Sequence, residues 1–244
     1  MNPSITLATT RRILAQLRHD HRTLGLLVGV PALLMVLLRY VLDQPGLFDR
    51  VGPLLLGVFP FVIMFVVTSV ATLRERTGGT LERLMTMPLG KLDLLLGYAL
   101  AFGLVALVQV GAVLAISLTW LGLDLRGPVA ALVVVAVLDA LLGMALGLLA
   151  SAFARTEFQA VQFMPAFVLP QVLLCGLIVP RDQMAGWLEA ISHVLPLSYA
   201  ISAMQELTRE PAVTATLTRD ITIIAACTLL SLLLGAATLR RRTP

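Results

Sequence analysis

Apolar residues run along this chain in six long blocks separated by short polar stretches: 24–42, 51–73, 94–123, 128–154, 158–180 and 221–239. The blocks are 19, 23, 30, 27, 23 and 19 residues long, against the roughly 20 that a helix needs to cross a bilayer. Barrel strands would alternate apolar and polar positions, whereas 132–138 is apolar throughout. Among all charged residues only Arg39 and Asp139 fall inside the blocks. Arg39 stands near the end of its block and can snorkel to the interface. Asp139, near the middle of its block, cannot. The pattern predicts an all-α polytopic membrane protein with six transmembrane helices in a single transmembrane domain, 1–244. The third block is longer than a span requires, so a tilt or a projection into the cytosol near Gly97 is expected.

Three of the connecting segments have patterns of their own. Residues 5–18 put Leu7, Leu14 and Leu17 on one helical face beside Ile13, with Arg11, Arg12 and Gln16 elsewhere. That predicts an N-terminal interfacial helix, the alternative being a frayed basic N-terminus. Between the second and third blocks, Gly78-Gly79 breaks the preceding helix and Thr80 can cap a new short one. Leu81, Leu84 and Met85 share one side of it, Glu82 and Arg83 lie on others, and Pro88 ends the pattern before Leu89. A short amphipathic helix at this place cannot bury its apolar side alone. It needs the bilayer surface or a groove on a cytosolic partner. In the segment 181–207, Met184, Trp187, Leu188, Ile191 and Leu195 form a helical stripe, Pro196 stops it, and 197–207 offers a second helix. Trp187 and Tyr199 suit a membrane interface, so an outer re-entrant or interfacial hairpin is predicted.

Composition agrees with the pattern and excludes alternatives. Hydrophobic residues make up 58% and charged residues 13% of the chain, and the mean hydropathy is +0.93. Soluble domains average about 25% charged residues, so a soluble catalytic domain or a disordered chain is not expected. Of the 18 Lys and Arg residues, 12 fall on the side that holds the termini. The positive-inside rule then puts both termini in the cytoplasm. The net charge of +4 reflects basic residues clustered at membrane boundaries and implies no nucleic-acid partner. The first apolar block is too long for a signal peptide and reads as a retained span.

Candidate chemistry is sparse. Cys175 and Cys227 lie within apolar blocks and read as small buried hydrophobes, while His19 and His21 are two apart and would point to different helix faces, so no metal site is assigned. No G-x-x-x-x-G-K-[ST] motif is present, so this polypeptide is not expected to bind a nucleotide. Asp139 either lines a substrate path or is a protonated or hydrogen-bonded structural carboxyl. Gln109 and Gln171 are embedded amides that could stabilise helix contacts or wet the same path. Gly143 and Gly147 permit close helix approach. Pro165 and Pro170 would free backbone groups in the fifth span, making that helix a candidate for a dimer interface.

Four passages resemble the permease subunit of type-2 ABC exporters, closest to the daunorubicin-resistance and multidrug-export branch. They are Arg74-Glu75-Arg76 with Gly79-Thr80-Leu81-Glu82-Arg83-Leu84 and Pro88-Leu89; Gly143 to Arg155; Gly176-Leu177-Ile178-Val179-Pro180; and Trp187 onward to Pro196-Leu197-Ser198-Tyr199-Ala200. The resemblance implies a multi-pass permease in a bacterial cell (inner) membrane that moves hydrophobic or amphipathic small molecules outward. It implies pairing with a second permease copy and with a separate cytosolic ABC ATPase that carries the ATP and Mg, so this chain binds no cofactor and is not itself an enzyme. It implies that 80–89 is the coupling helix, with Arg74, Glu75, Arg76, Gly79, Thr80, Glu82 and Arg83 around the ATPase contact and Leu81, Leu84 and Met85 as anchors. The helix 5–18 corresponds to the elbow helix, and 181–207 to the outer re-entrant helices. A proton-coupled secondary transporter using Asp139, or a non-transporting membrane scaffold, are the alternative classes. No convincing internal repeat supports the first of these.

Overall fold

The computed structural model describes residues 3–42, 46–79 and 90–238. The described residues form helices and no strand. They are α1 (Pro3–His19), α2 (His21–Val41), α3 (Leu47–Thr77), α4 (Lys91–Thr119), α5 (Val129–Ala150), α6 (Glu157–Leu174), α7 (Gly186–Ser192), α8 (Leu197–Arg209) and α9 (Ala215–Thr238), with a 3-10 turn at Arg181–Gln183. Five of them, α2, α3, α4, α5 and α9, are long and apolar enough to cross a membrane. The chain is a polytopic, all-helical membrane protein. At one end of the bundle, called the near end, α1 meets the close of α3 and the start of α4, and the start of α6 meets the close of α3. The α4–α5 connection and α8 lie at the far end.

The helices differ from the apolar blocks at their ends. The third block was expected to run to Leu123, but α4 ends at Thr119, and Gly122 with φ of 65° turns the chain into a loop. The fourth block loses its last residues to a turn after Ala150. The fifth was expected to reach Pro180, yet α6 stops at Leu174, and Gly176 adopts φ of 91°. Only glycine enters that backbone region without strain. Within α6, Pro165 and Pro170 are accommodated in one continuous helix, and three glutamines between Phe158 and Val172 dilute its apolar character. The stripe from Met184 to Leu195 was expected as one helix; it is helical only over Gly186–Ser192.

The packing centre is the contact of α3 with α5. Gly143 and Gly147 face the backbone of Phe61 and Phe65, and a Cβ on either glycine would overlap those carbonyl oxygens. The two helices therefore touch backbone to backbone, which only small residues allow. Around this seam Leu56, Phe61, Phe65, Val135, Ala136 and Leu142 are buried. The amphipathic α8 is inserted into the same core: Leu197, Ile201, Met204 and Leu207 are buried, and Ile201 and Met204 pack over Gly57 of α3.

At the near end α1 lies on α4. Its buried face is Thr6, Thr9, Thr10 and Ile13, while Leu7 points outward and is 67% exposed. Leu14 and Leu17 pack at the edge of the core. The close approach is set by Gly97, where a Cβ would lie 2.6 Å from Thr9. Thr10 Oγ1 donates to the carbonyls of Thr6 (2.9 Å) and Gly97 (3.3 Å). The start of α4 is itself part of the core, with Leu94, Leu95 and Tyr98 buried.

The glycine seam makes a sharp prediction. Gly147→Val forces α3 and α5 apart and should lower the thermal unfolding midpoint in detergent by several degrees, consistent with the roughly 1–3 kcal/mol cost of overpacking. Gly111→Ala in α4 is the control, because a Cβ there meets nothing within 4 Å; its midpoint should stay within about one degree of the parent.

Candidate functional site: the near end of the α3 helix

Residues 74–76 end α3 one residue before its C-terminus at Thr77, with Gly78 as the C-cap and Gly79 at φ of 70°. Successive residues on a helix point about 100° apart, so Arg74, Glu75 and Arg76 leave the axis in three directions. Each finds a different neighbour. Arg74 donates from Nε and Nη2 to both carboxylate oxygens of Glu157, at 2.8 Å each, at the start of α6. Glu75 accepts from Arg12 of α1, through Nη1 at 2.9 Å and Nη2 at 3.5 Å. Its Oε2 also accepts from the Tyr98 hydroxyl of α4. Arg76 donates from Nη2 to Thr238 Oγ1, 3.3 Å away at the end of α9. Three consecutive side chains thus tie one helix end to α1, α4, α6 and α9.

The strengths of these ties differ. The Arg12–Glu75 side chains are 27% and 13% exposed, and those of Arg74–Glu157 are 59% and 53% exposed. An exposed pair contributes about 0.2–1 kcal/mol. A half-buried carboxylate that accepts two charge-assisted bonds and a phenol hydroxyl contributes more, because losing one partner strands the others. Glu75 is the centre of the junction.

The expected coupling helix, with Thr80, Leu81, Glu82, Arg83, Leu84, Met85, Pro88 and Leu89, lies outside the described residues. Immediately before it, Gly78 and Gly79 end α3 as expected, and the junction sits directly upstream. Sequence reasoning places Arg74, Glu75 and Arg76 beside an external contact; among the described residues, all three bond to neighbouring helices. Arg12, Tyr98, Glu157 and Thr238 were missed as their partners. The signal available was the run of three charged residues at a helix end, which places charge on three faces.

The candidate path residues are dispersed. Asp139 is fully buried in the bundle, with no hydrogen-bond partner for either carboxylate oxygen among the described residues. Gln109 is likewise buried, and neither amide atom is bonded. Gln109 lies on α4 and Asp139 on α5, two helices in contact, and the two side chains do not bond each other. Gln171 donates from Nε2 to the Phe167 carbonyl of its own helix at 3.1 Å. At the far end Trp187 is exposed, Pro196 is the N-cap of α8, and the Tyr199 hydroxyl donates to the His193 carbonyl at 2.7 Å. Arg39 donates from Nε to the Leu121 carbonyl at 3.0 Å and lies over the Phe48 ring.

The family model for the ABC-2 type transporter matches residues 4–208, which takes in Arg74, Glu75 and Arg76, the glycine seam and nearly all of α8. The chain belongs to the ABC-2 type transporter family. Among its relatives, the probable multidrug ABC transporter permease YbhR of Escherichia coli is 30% identical over 149 residues, covering 61% of this chain and 40% of that protein. The linearmycin resistance permease protein LnrN of Bacillus subtilis is 30% identical over 149 residues, covering 60% and 38%. ABC transporter G family member 20 of Dictyostelium discoideum is 26% identical over 159 residues, covering 65% and 22%. The chain thus matches between about a fifth and two fifths of the length of these curated relatives. As an ABC-2 permease it is a membrane component of transport.

The junction yields a quantitative prediction. In a double-mutant cycle, Arg12→Ala with Glu75→Ala should show a coupling energy of about 1.5–3 kcal/mol in thermal or denaturant unfolding. The same cycle on Arg74 and Glu157 should stay below about 1 kcal/mol and shrink in high salt. Equal coupling in the two cycles would contradict this ranking of the two ion pairs.

Proposed function

We propose that this chain is the transmembrane permease subunit of an ATP-driven exporter. A separate cytosolic ABC ATPase, carrying ATP and Mg, energises it, and a second permease copy completes the transport unit. The carrying observation is the junction at Arg74-Glu75-Arg76, placed directly upstream of the segment 80–89. A push on that segment reaches the end of α3 first. From there it passes to α1, α4, α6 and α9 through the side-chain ties already described. In this reading 80–89 is the coupling helix, with Leu81, Leu84 and Met85 as apolar anchors and Glu82 and Arg83 at their rim. The role of Arg74, Glu75 and Arg76 is to spread the motion through the bundle.

The remaining architecture follows the same reading. The domain is 1–244, α1 is the elbow helix at the cytoplasmic surface with Leu7 toward lipid, and both termini face the cytoplasm of a bacterial cell. α6 is the sixth crossing: its 18 residues span about 27 Å, and the chain from Cys175 to Pro180 completes the passage. α6 carries exposed Phe158, Val161, Leu169 and Leu173 along one side and exposed Phe167 opposite, and the side with four is suited to the second permease copy. The segment 181–207 is the outer re-entrant element. The cargo is a hydrophobic or amphipathic small molecule such as a drug, antibiotic or lipid, in keeping with the names of the multidrug and linearmycin resistance relatives.

The test is the double variant Arg83→Glu with Leu84→Asp. It should abolish co-purification of the ATPase and stop export of a lipophilic dye from inverted vesicles, while the chain still inserts and purifies as the parent does. If the ATPase and export both survive, the assignment of 80–89 fails.

A further inference from the structure

Six basic residues stand toward the far end of the bundle: Arg39, Arg50, Arg126, Arg181, Arg209 and Arg219. Three are engaged by the protein. Arg39 holds the Leu121 carbonyl, Arg181 lies 5.8 Å over the Tyr199 ring, and Arg219 pairs with buried Asp220 at 2.9 Å. The other three, Arg50, Arg126 and Arg209, have no ion pair or hydrogen bond among the described residues. All three line a single cavity of about 710 Å³ between α3, the α4–α5 loop and α8. That volume falls within the about 300–1,000 Å³ typical of small-molecule sites.

The walls of this cavity are fixed. The α4–α5 loop is pinned at three points: Leu121 to Arg39 of α2, the Asp124 N–H to Asp49 Oδ1 of α3 at 3.0 Å, and the Gly127 N–H to the Leu207 carbonyl of α8 at 2.9 Å. Gly127 is needed for the last contact, since a Cβ there would lie 2.7 Å from the Leu207 oxygen. On α8, Gln205, Thr208 and Arg209 share the face that meets the cavity, one turn apart. Asp49 and Asp124 also line it, so among the described lining residues three guanidiniums oppose two carboxylates, an excess of one positive charge. Leu47, Val51 and Leu54 of α3 supply an apolar wall beside the charges.

We propose that this cavity binds the headgroup of an anionic phospholipid, with the phosphodiester on Arg50, Arg126 and Arg209 and the first acyl carbons along Leu47, Val51 and Leu54. Guanidinium forks match phosphate oxygens in geometry as well as charge. The surplus of one positive charge selects a lipid of net charge −1 over a zwitterionic one. Basic residues are disfavoured on the outer side of a membrane protein, and an anionic headgroup compensates the one positive charge in excess of the two carboxylates. Only the leaflet that supplies the lipid rests on the exporter reading; neither the ATPase nor transport is involved in binding.

The test is native mass spectrometry of the full chain in detergent, titrated with dioleoyl phosphatidylglycerol or dioleoyl phosphatidylcholine. The first phosphatidylglycerol should bind at least about tenfold more tightly than phosphatidylcholine. Arg50→Gln/Arg126→Gln/Arg209→Gln should lose that preference. The triple Lys variant should keep most of it, and the near-end control Arg155→Gln should keep all of it. A parent protein without the preference, or a triple Gln variant that retains it, would overturn the proposal. Displacement of phosphatidylglycerol by equimolar glycerol 1-phosphate would also overturn it, because the site would then be reading a free phosphate ester. Loss of export in these variants bears on neither result, so failure of lipid binding is distinguishable from failure of the exporter reading.

Discussion

The backbone contact between α3 and α5 is the constraint on which the rest of the bundle depends. Water supplies no driving force between helices in lipid, so association rests on close packing. Gly143 and Gly147 bring the Phe61 and Phe65 carbonyls against α5 at a spacing that no larger residue permits. With that pair fixed, α8 packs over Gly57 on the far side, and the near end of α3 is held at a defined position. The junction at residues 74–76 is possible only because the seam determines where α3 ends.

The bundle is asymmetric in how it uses charge. At the near end, ionic groups are spent on each other across helices: Arg12 with Glu75, Arg74 with Glu157. At the far end, half of the basic residues are satisfied by carbonyls, a ring or a neighbouring carboxylate, and half are left facing a cavity. In the core between them, Asp139 and Gln109 remain without hydrogen bonds. A buried polar group without a partner costs free energy, so these two side chains, on the adjacent helices α5 and α4, are places where the packed state is not fully satisfied.

Much of this was legible in the sequence. Apolar length located α2, α3, α4, α5 and α9, and the glycine pair in α5 announced close packing. Gly78-Gly79 marked the end of α3. What the sequence hid was set by tertiary context. Hydropathy cannot distinguish an apolar helix from an apolar turn, so the ends at Thr119 and Leu174 were overrun; positive φ at Gly122 and Gly176 decided them. The face of α1 was misleading for the same reason. Its threonines are buried against Gly97 while Leu7 faces out, since in a membrane protein the apolar side of a surface helix can point away from the core. Partners far apart in sequence, such as Arg12 with Glu75 or Arg76 with Thr238, leave no local pattern.

The length of α3 has a mechanical consequence. Its prolines, Pro53 and Pro60, lie in the far half, and a helix bends most readily where proline removes a backbone hydrogen bond. From Phe61 to Thr77 the helix is uninterrupted, a rod of about 25 Å. The bending point coincides with the level at which Gly143 clasps the helix. A rotation of about 10° at Pro60 would sweep the tip at Thr77 through roughly 4 Å. A displacement of that size lies between the about 1–2 Å helix shifts and the about 5.4 Å one-turn ratchets by which packed elements change state.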